Sequence, residues 1–191
     1  MYGDTISEIS VEPMSDGRIA RLLLIISIVV AEADEALYIF LIANQGSPRP
    51  PDVLTVPFVA SFIQLMAVLL GISMVESPMF IRLRPALRGG AAAGLLVLGV
   101  FGAFSIGAPL FVAGLIATGV GVRTLTLAPG PWSILSAFAA GVVVVALLIT
   151  GFELTARVIE CPAVGSSGGS WNGMVTRGFT WQCAGGQLHF Q

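Results

Sequence analysis

Apolar residues along this chain come in long runs, separated by short polar or Pro/Gly-rich interruptions. The first run, Ile19–Ala43, opens behind Arg18 and Arg21 and stops at Asn44–Pro51 (NQGSPRPP). Pro48, Pro50 and Pro51 there remove backbone donors and hold their neighbours out of helical conformation. A second run covers about Val56–Met79 and ends near Pro78, ahead of a basic loop, Ile81–Arg88, with three arginines. Gly89–Val122 is longer than one crossing needs. As a single helix its 34 residues would extend about 51 Å, against a hydrocarbon core of about 30 Å. Ser105-Ile106-Gly107-Ala108-Pro109 has the punctuation of a turn, which predicts two short helices, near Gly89–Phe104 and Ala108–Arg123. Leu127–Pro131 (LAPGP) is a further turn, and the last run is Trp132–Phe152.

Each run is long enough for a membrane helix, and the pattern predicts an all-α membrane protein. Five spans are expected (19–43, 56–79, 89–104, 108–123 and 132–152), or four if Gly89–Val122 stays whole. Composition strengthens this picture. Of 191 residues 55% are hydrophobic and only 10% charged, with a mean hydropathy of +0.92, whereas a soluble domain carries roughly 25% charged residues. The first 18 residues, with Asp4, Glu8, Glu12 and Asp16, read as a flexible acidic tail in which Pro13 and Gly17 break any helix. The span region is then 19–157.

A net charge of −2 argues against nucleic acid, which wants a basic face. Arg82, Arg84 and Arg88 give only a weak hint of a patch for anionic lipid. Of the eight arginines near span ends, both arrangements with the N-terminus inside leave six on the cytoplasmic side and two outside, so the positive-inside rule does not choose between them. The C-terminal tail does. Residues 158–191 hold both cysteines, Cys161 and Cys183, and a disulfide between them persists outside the cytosol. Val175–Cys183 and Gln187–Phe190 read as two strands joined at Ala184-Gly185-Gly186, with Gly165–Gly169 as a flexible lead-in. Five spans with a disulfide-stapled extracytoplasmic β-hairpin tail is the expected architecture. The layout resembles small polytopic proteins of GC-rich bacteria, which implies a bacterial inner membrane and no particular activity.

One constellation could carry chemistry. Glu32, Asp34 and Glu35 lie inside the first run, and neither flank, Leu22–Ala31 or Ala36–Ala43, spans alone. An acid at the centre of a spanning helix costs roughly 2.5–3.5 kcal/mol on insertion scales. At helical spacing Glu32 and Glu35 share a face; Asp34 points nearly opposite Glu32, on the side of Tyr38. Gln64, midway along the second run, is the natural polar neighbour, and Glu76 is expected to reach towards Arg82. Every arginine lies in a tail, a loop or a span end, so internal charge compensation is poor. Protonation, a hard cation held by oxygens, a cationic solute or a partner's basic residue would each resolve the problem. The metal, if any, is not specified, although softer ions lack His or Cys ligands at that depth. A structural polar contact between helices competes with these readings. So does a cleaved signal, since Arg18 and Arg21, Leu22–Val30 and Ala31-Glu32-Ala33 resemble its basic, apolar and A-x-A parts.

Other signals are weaker. Glu153 and Arg157 have the spacing of a surface pair. Gly90 with Gly94, and Ala137 with Gly141, suit close helix packing. His189 stands alone, no cofactor is implied, and without a nucleophile-and-base set an enzyme is disfavoured. Two functions remain: a binding or transport component for protons, cations or cationic solutes, or an accessory subunit of a larger membrane complex. The expected partners are the lipid bilayer and either a second copy or another membrane protein.

Overall fold

The computed structural model describes residues 14–44, 54–103, 107–127, 130–161 and 165–190. Among these residues five helices, α1 (Met14–Asn44), α2 (Thr55–Ile72), α3 (Pro78–Phe101), α4 (Gly107–Leu127) and α5 (Pro131–Thr155), precede three strands. The strands are β1 (Ser166–Trp171), β2 (Phe179–Ala184) and β3 (Gln187–Phe190). Helices α2 to α5 are each long and apolar enough to cross a membrane. Helix α1, at 31 residues, extends further still, but three acids interrupt its apolar stretch. Large side chains such as Trp132, Ile134, Phe138 and Val143 on α5 face outward; a contiguous apolar surface of this kind suits hydrocarbon and not water.

The long run divides where its Gly and Pro punctuation falls: α3 ends at Phe101 and α4 begins at Gly107. Helix α3 is the centre of the bundle, packed on α2, α4 and α5, while α1 lies against α2 and α4. Small residues make the close approaches. A Cβ on Gly99 would fall 2.6 Å from the Phe111 backbone nitrogen, and one on Gly89 would fall 2.7 Å from the Ala137 carbonyl oxygen. Between them runs a core that includes Phe62, Ile63, Met66, Leu95, Leu110 and Leu148.

Several boundaries differ from the pattern-based expectation. Met1–Pro13 lies outside the described residues, yet α1 is already helical from Met14 and passes through Gly17. A single glycine costs a helix about 1 kcal/mol, too little to stop one that continues into a long apolar run. The expected basic loop Ile81–Arg88 is the beginning of α3, which Pro78 opens at its first turn. Proline is pre-set for that position, having no donor to lose there. Helix α2 therefore ends at Ile72 rather than Met79, with the Ser73 hydroxyl donating to the Leu70 carbonyl at 2.7 Å. Residues 45–53, containing most of the proline-rich loop, lie outside the described residues, as do 104–106 and 128–129.

The tail is a three-stranded antiparallel meander, β1-β2-β3, and not the two-stranded hairpin expected. The Gly165–Gly169 segment supplies the extra strand, with Gly168 opposite Gln182 and Gly169 opposite Trp181. Glycine is unusual in a strand, and its role here is spatial: a Cβ on Gly169 would lie 2.8 Å from the Trp181 ring. The β2–β3 turn uses Gly185 and Gly186, both at positive φ, as a tight hairpin requires. Cys161 and Cys183 form the disulfide, at a Cα–Cα distance of 5.4 Å, tying β2 to the chain leaving α5.

A carboxylate provides the second tie. Glu153 does not pair with Arg157; it is buried and accepts hydrogen bonds from the backbone of Met174, Val175 and Thr176 and from the Thr176 hydroxyl. Arg157 donates to the same hydroxyl at 3.1 Å. The surface spacing was misleading because the turn between β1 and β2 offers Glu153 several donors at once. Charge-assisted bonds of this kind are about twice as strong as neutral ones. Glu153→Ala is accordingly expected to speed amide exchange at Met174 and Val175 on the order of tenfold or more, with the helices unchanged. Hydrogen-exchange mass spectrometry reads this directly, and unchanged protection at 174–176 would contradict it.

Candidate functional site: an acid pair bridged by glutamine

The inward stripe of α1 is Leu24, Ser27, Ala31, Asp34 and Glu35, the spacing of a helix face. Ser27 lies against α4, its hydroxyl donating to the Ala113 carbonyl at 2.9 Å. Seven residues on, close to two turns, Asp34 continues that side of the helix and is only 4% exposed. Its Oδ2 has no hydrogen-bond partner among the described residues. Tyr38 follows on the same side, half-buried against the core.

Glu32 and Glu35 turn instead towards α2. The Gln64 amide nitrogen donates to Oε2 of Glu32 at 2.7 Å and to Oε2 of Glu35 at 2.8 Å. One nitrogen with two hydrogens thus spans two carboxylates and holds them side by side. Glu35 is 7% exposed and Glu32 half-buried, whereas Gln64 is exposed, so the pair lies at the open seam between α1 and α2. The structure therefore brings Glu32, Glu35 and Gln64 together through hydrogen bonds. Among the described residues no three His, Cys, Asp or Glu side chains group as a metal site.

Two charged contacts depart from expectation. Glu76 pairs with Arg21 of α1 and not with Arg82, since α1 and α2 pack together and bring the Arg21 end of α1 to Glu76. Nor are all the arginines peripheral. Arg88 is 8% exposed inside α3, donating to the hydroxyls of Ser73 and Thr124. Arg88 falls in a loop only if α3 begins at Gly89, as the apolar pattern alone suggests; the helix begins at Pro78. Pro78, set where a helix opens, was the available signal for the longer helix. At the opposite end of the bundle, a cavity of about 380 Å³ separates the sheet from the helices, lined by Phe101, Phe152, Trp171 and Trp181 among others. No protein-family model, curated protein or solved structure matches this chain.

Proposed function

We propose that the chain is a five-span membrane protein that binds a proton, a hard cation or a cationic group at Glu32 and Glu35, as a binding or transport component. The observation that carries this reading is the single Gln64 nitrogen within hydrogen-bond distance of both carboxylates. Two acids side by side in apolar surroundings repel, and a shared proton or an enclosed cation relieves that repulsion. Rotating the Gln64 amide would turn its oxygen to the same point and offer a third hard ligand. Asp34, buried with an unpartnered oxygen, is the second group on α1 at which a proton can reside.

In this reading α1 crosses the bilayer with the other four helices. The N-terminus is cytoplasmic, because the arginine-rich starts of α1 and α3 and the end of α4 share one end of the bundle. The disulfide-bonded sheet is then extracytoplasmic. Flux of protons or monovalent cations into proteoliposomes should fall at least tenfold in Glu32→Gln and Glu35→Gln. Unchanged flux in both variants would remove the pair from the mechanism.

The position of the pair at an open seam supports a second reading, an accessory subunit whose acids dock a basic intramembrane residue of a partner. Mild-detergent purification followed by native electrophoresis separates the two. The accessory reading requires a stable heteromer that dissociates in the same two variants.

A further inference from the structure

Around the start of α1, helices α1, α3, α4 and α5 and the segment that follows α2 line a cavity of about 770 Å³. Its lining includes Arg18, Arg21, Arg82, Arg84, Arg88 and Arg123, from α1, α3 and α4. Glu76 is the single acid among the described lining residues, and it is already paired with Arg21. A preference for positive charge on one side of a membrane accounts for arginines near helix ends. It does not require them to converge on one space.

Nor does it require one to be buried. Arg88 is sequestered with only hydroxyls as its partners, and no carboxylate pairs with it among the described residues. The Arg84 guanidinium donates to the Val75 carbonyl at 3.3 Å, while its Nε is buried without a partner. A buried guanidinium with no counter-charge is costly unless an anion completes it. Arginine's planar fork matches the oxygens of a phosphate group two at a time. The volume lies in the range of small-molecule sites, about 300–1,000 Å³, and leaves room for an organic substituent on that phosphate.

We infer that this arginine-lined cavity binds a phosphate group, carried by an anionic lipid or by a soluble phosphate, with Arg84 and Arg88 at its inner wall and Arg18 at its rim. The inference is independent of the acid pair, which lies further along α1. The anion neutralises Arg88 and draws the starts of α1, α3 and α5 and the end of α4 together, so binding raises thermal stability.

The test uses the full chain, purified in neutral detergent and stripped of lipid. Melting is followed with inorganic phosphate or pyrophosphate against chloride at matched ionic strength, and with phosphatidylglycerol against phosphatidylcholine. At least one of the two anion sources should raise the melting temperature, and whichever does so identifies the source. Because Arg88→Gln could simply unfold the protein, the diagnostic variants are Arg84→Gln and Arg18→Gln, with Arg157→Gln beyond α5 as the control. Apparent affinity for the stabilising anion should weaken tenfold or more in the two cavity variants and stay at the wild-type value in the control. No stabilisation by either source, or stabilisation retained in both cavity variants, overturns the inference.

Discussion

Replacing Cys183 with serine should release the tail sheet while leaving the helical bundle intact. The disulfide joins positions 22 residues apart, a loop whose closure is worth roughly 3 kcal/mol in the chain-entropy model. That is a large share of what such a sheet can own. Its strands are six, six and four residues long, and small sheets with little apolar burial are marginal. Cys183 is the one buried position of β2, so the variant also places a hydroxyl where a sulfur was enclosed. Hydrogen exchange across Ser166–Phe190 should rise towards the unfolded rate, whereas amides in α3 and α4 should keep their protection. A tail that stays protected in the variant would show that the Glu153 contacts alone hold it.

A single methyl group at Gly99 should destabilise the bundle by about 2–3 kcal/mol, the upper part of the range for overpacking. The added Cβ would meet the nitrogen, Cα and Cβ of Phe111 at 2.6, 2.8 and 2.9 Å. Two of those three atoms are main chain, so relief demands that α3 and α4 separate. Gly119→Ala on α4 is the matched control, because nothing lies within 4 Å of its new Cβ. There the better helix propensity of alanine should leave stability equal or slightly higher. Unfolding of both variants in mixed micelles compares them, and equal stabilities would mean that the α3–α4 contact is looser than described.

Much of this molecule is written in local pattern. The break between α3 and α4 follows from a run too long for one crossing and from its Gly and Pro residues. The approach of Gln64 to Glu32 and Glu35 was accessible because helical spacing puts the acids on one face and Gln64 at a similar depth on the next helix. Local pattern misleads where partners come from elsewhere in the chain. Glu153 has Arg157 one turn away, yet its hydrogen bonds reach to Thr176, 23 residues distant. Glu76 has Arg82 near it in sequence and pairs with Arg21, 55 residues back. The Gly165–Gly169 stretch has the composition of a linker and becomes a strand because Trp181 needs the space its missing side chains leave.

Local pattern suffices for the helical, apolar character of the chain, the division of its longest run, the cysteine pair and the acids within the first apolar stretch. These depend on hydrophobic periodicity and backbone chemistry, which act over a few residues. The central place of α3, the hold of Glu153 on the tail and the gathering of six arginines around one cavity emerge only when the helices pack. Each of these depends on which helices become neighbours, and that choice is made by the close packing of surfaces far apart along the chain.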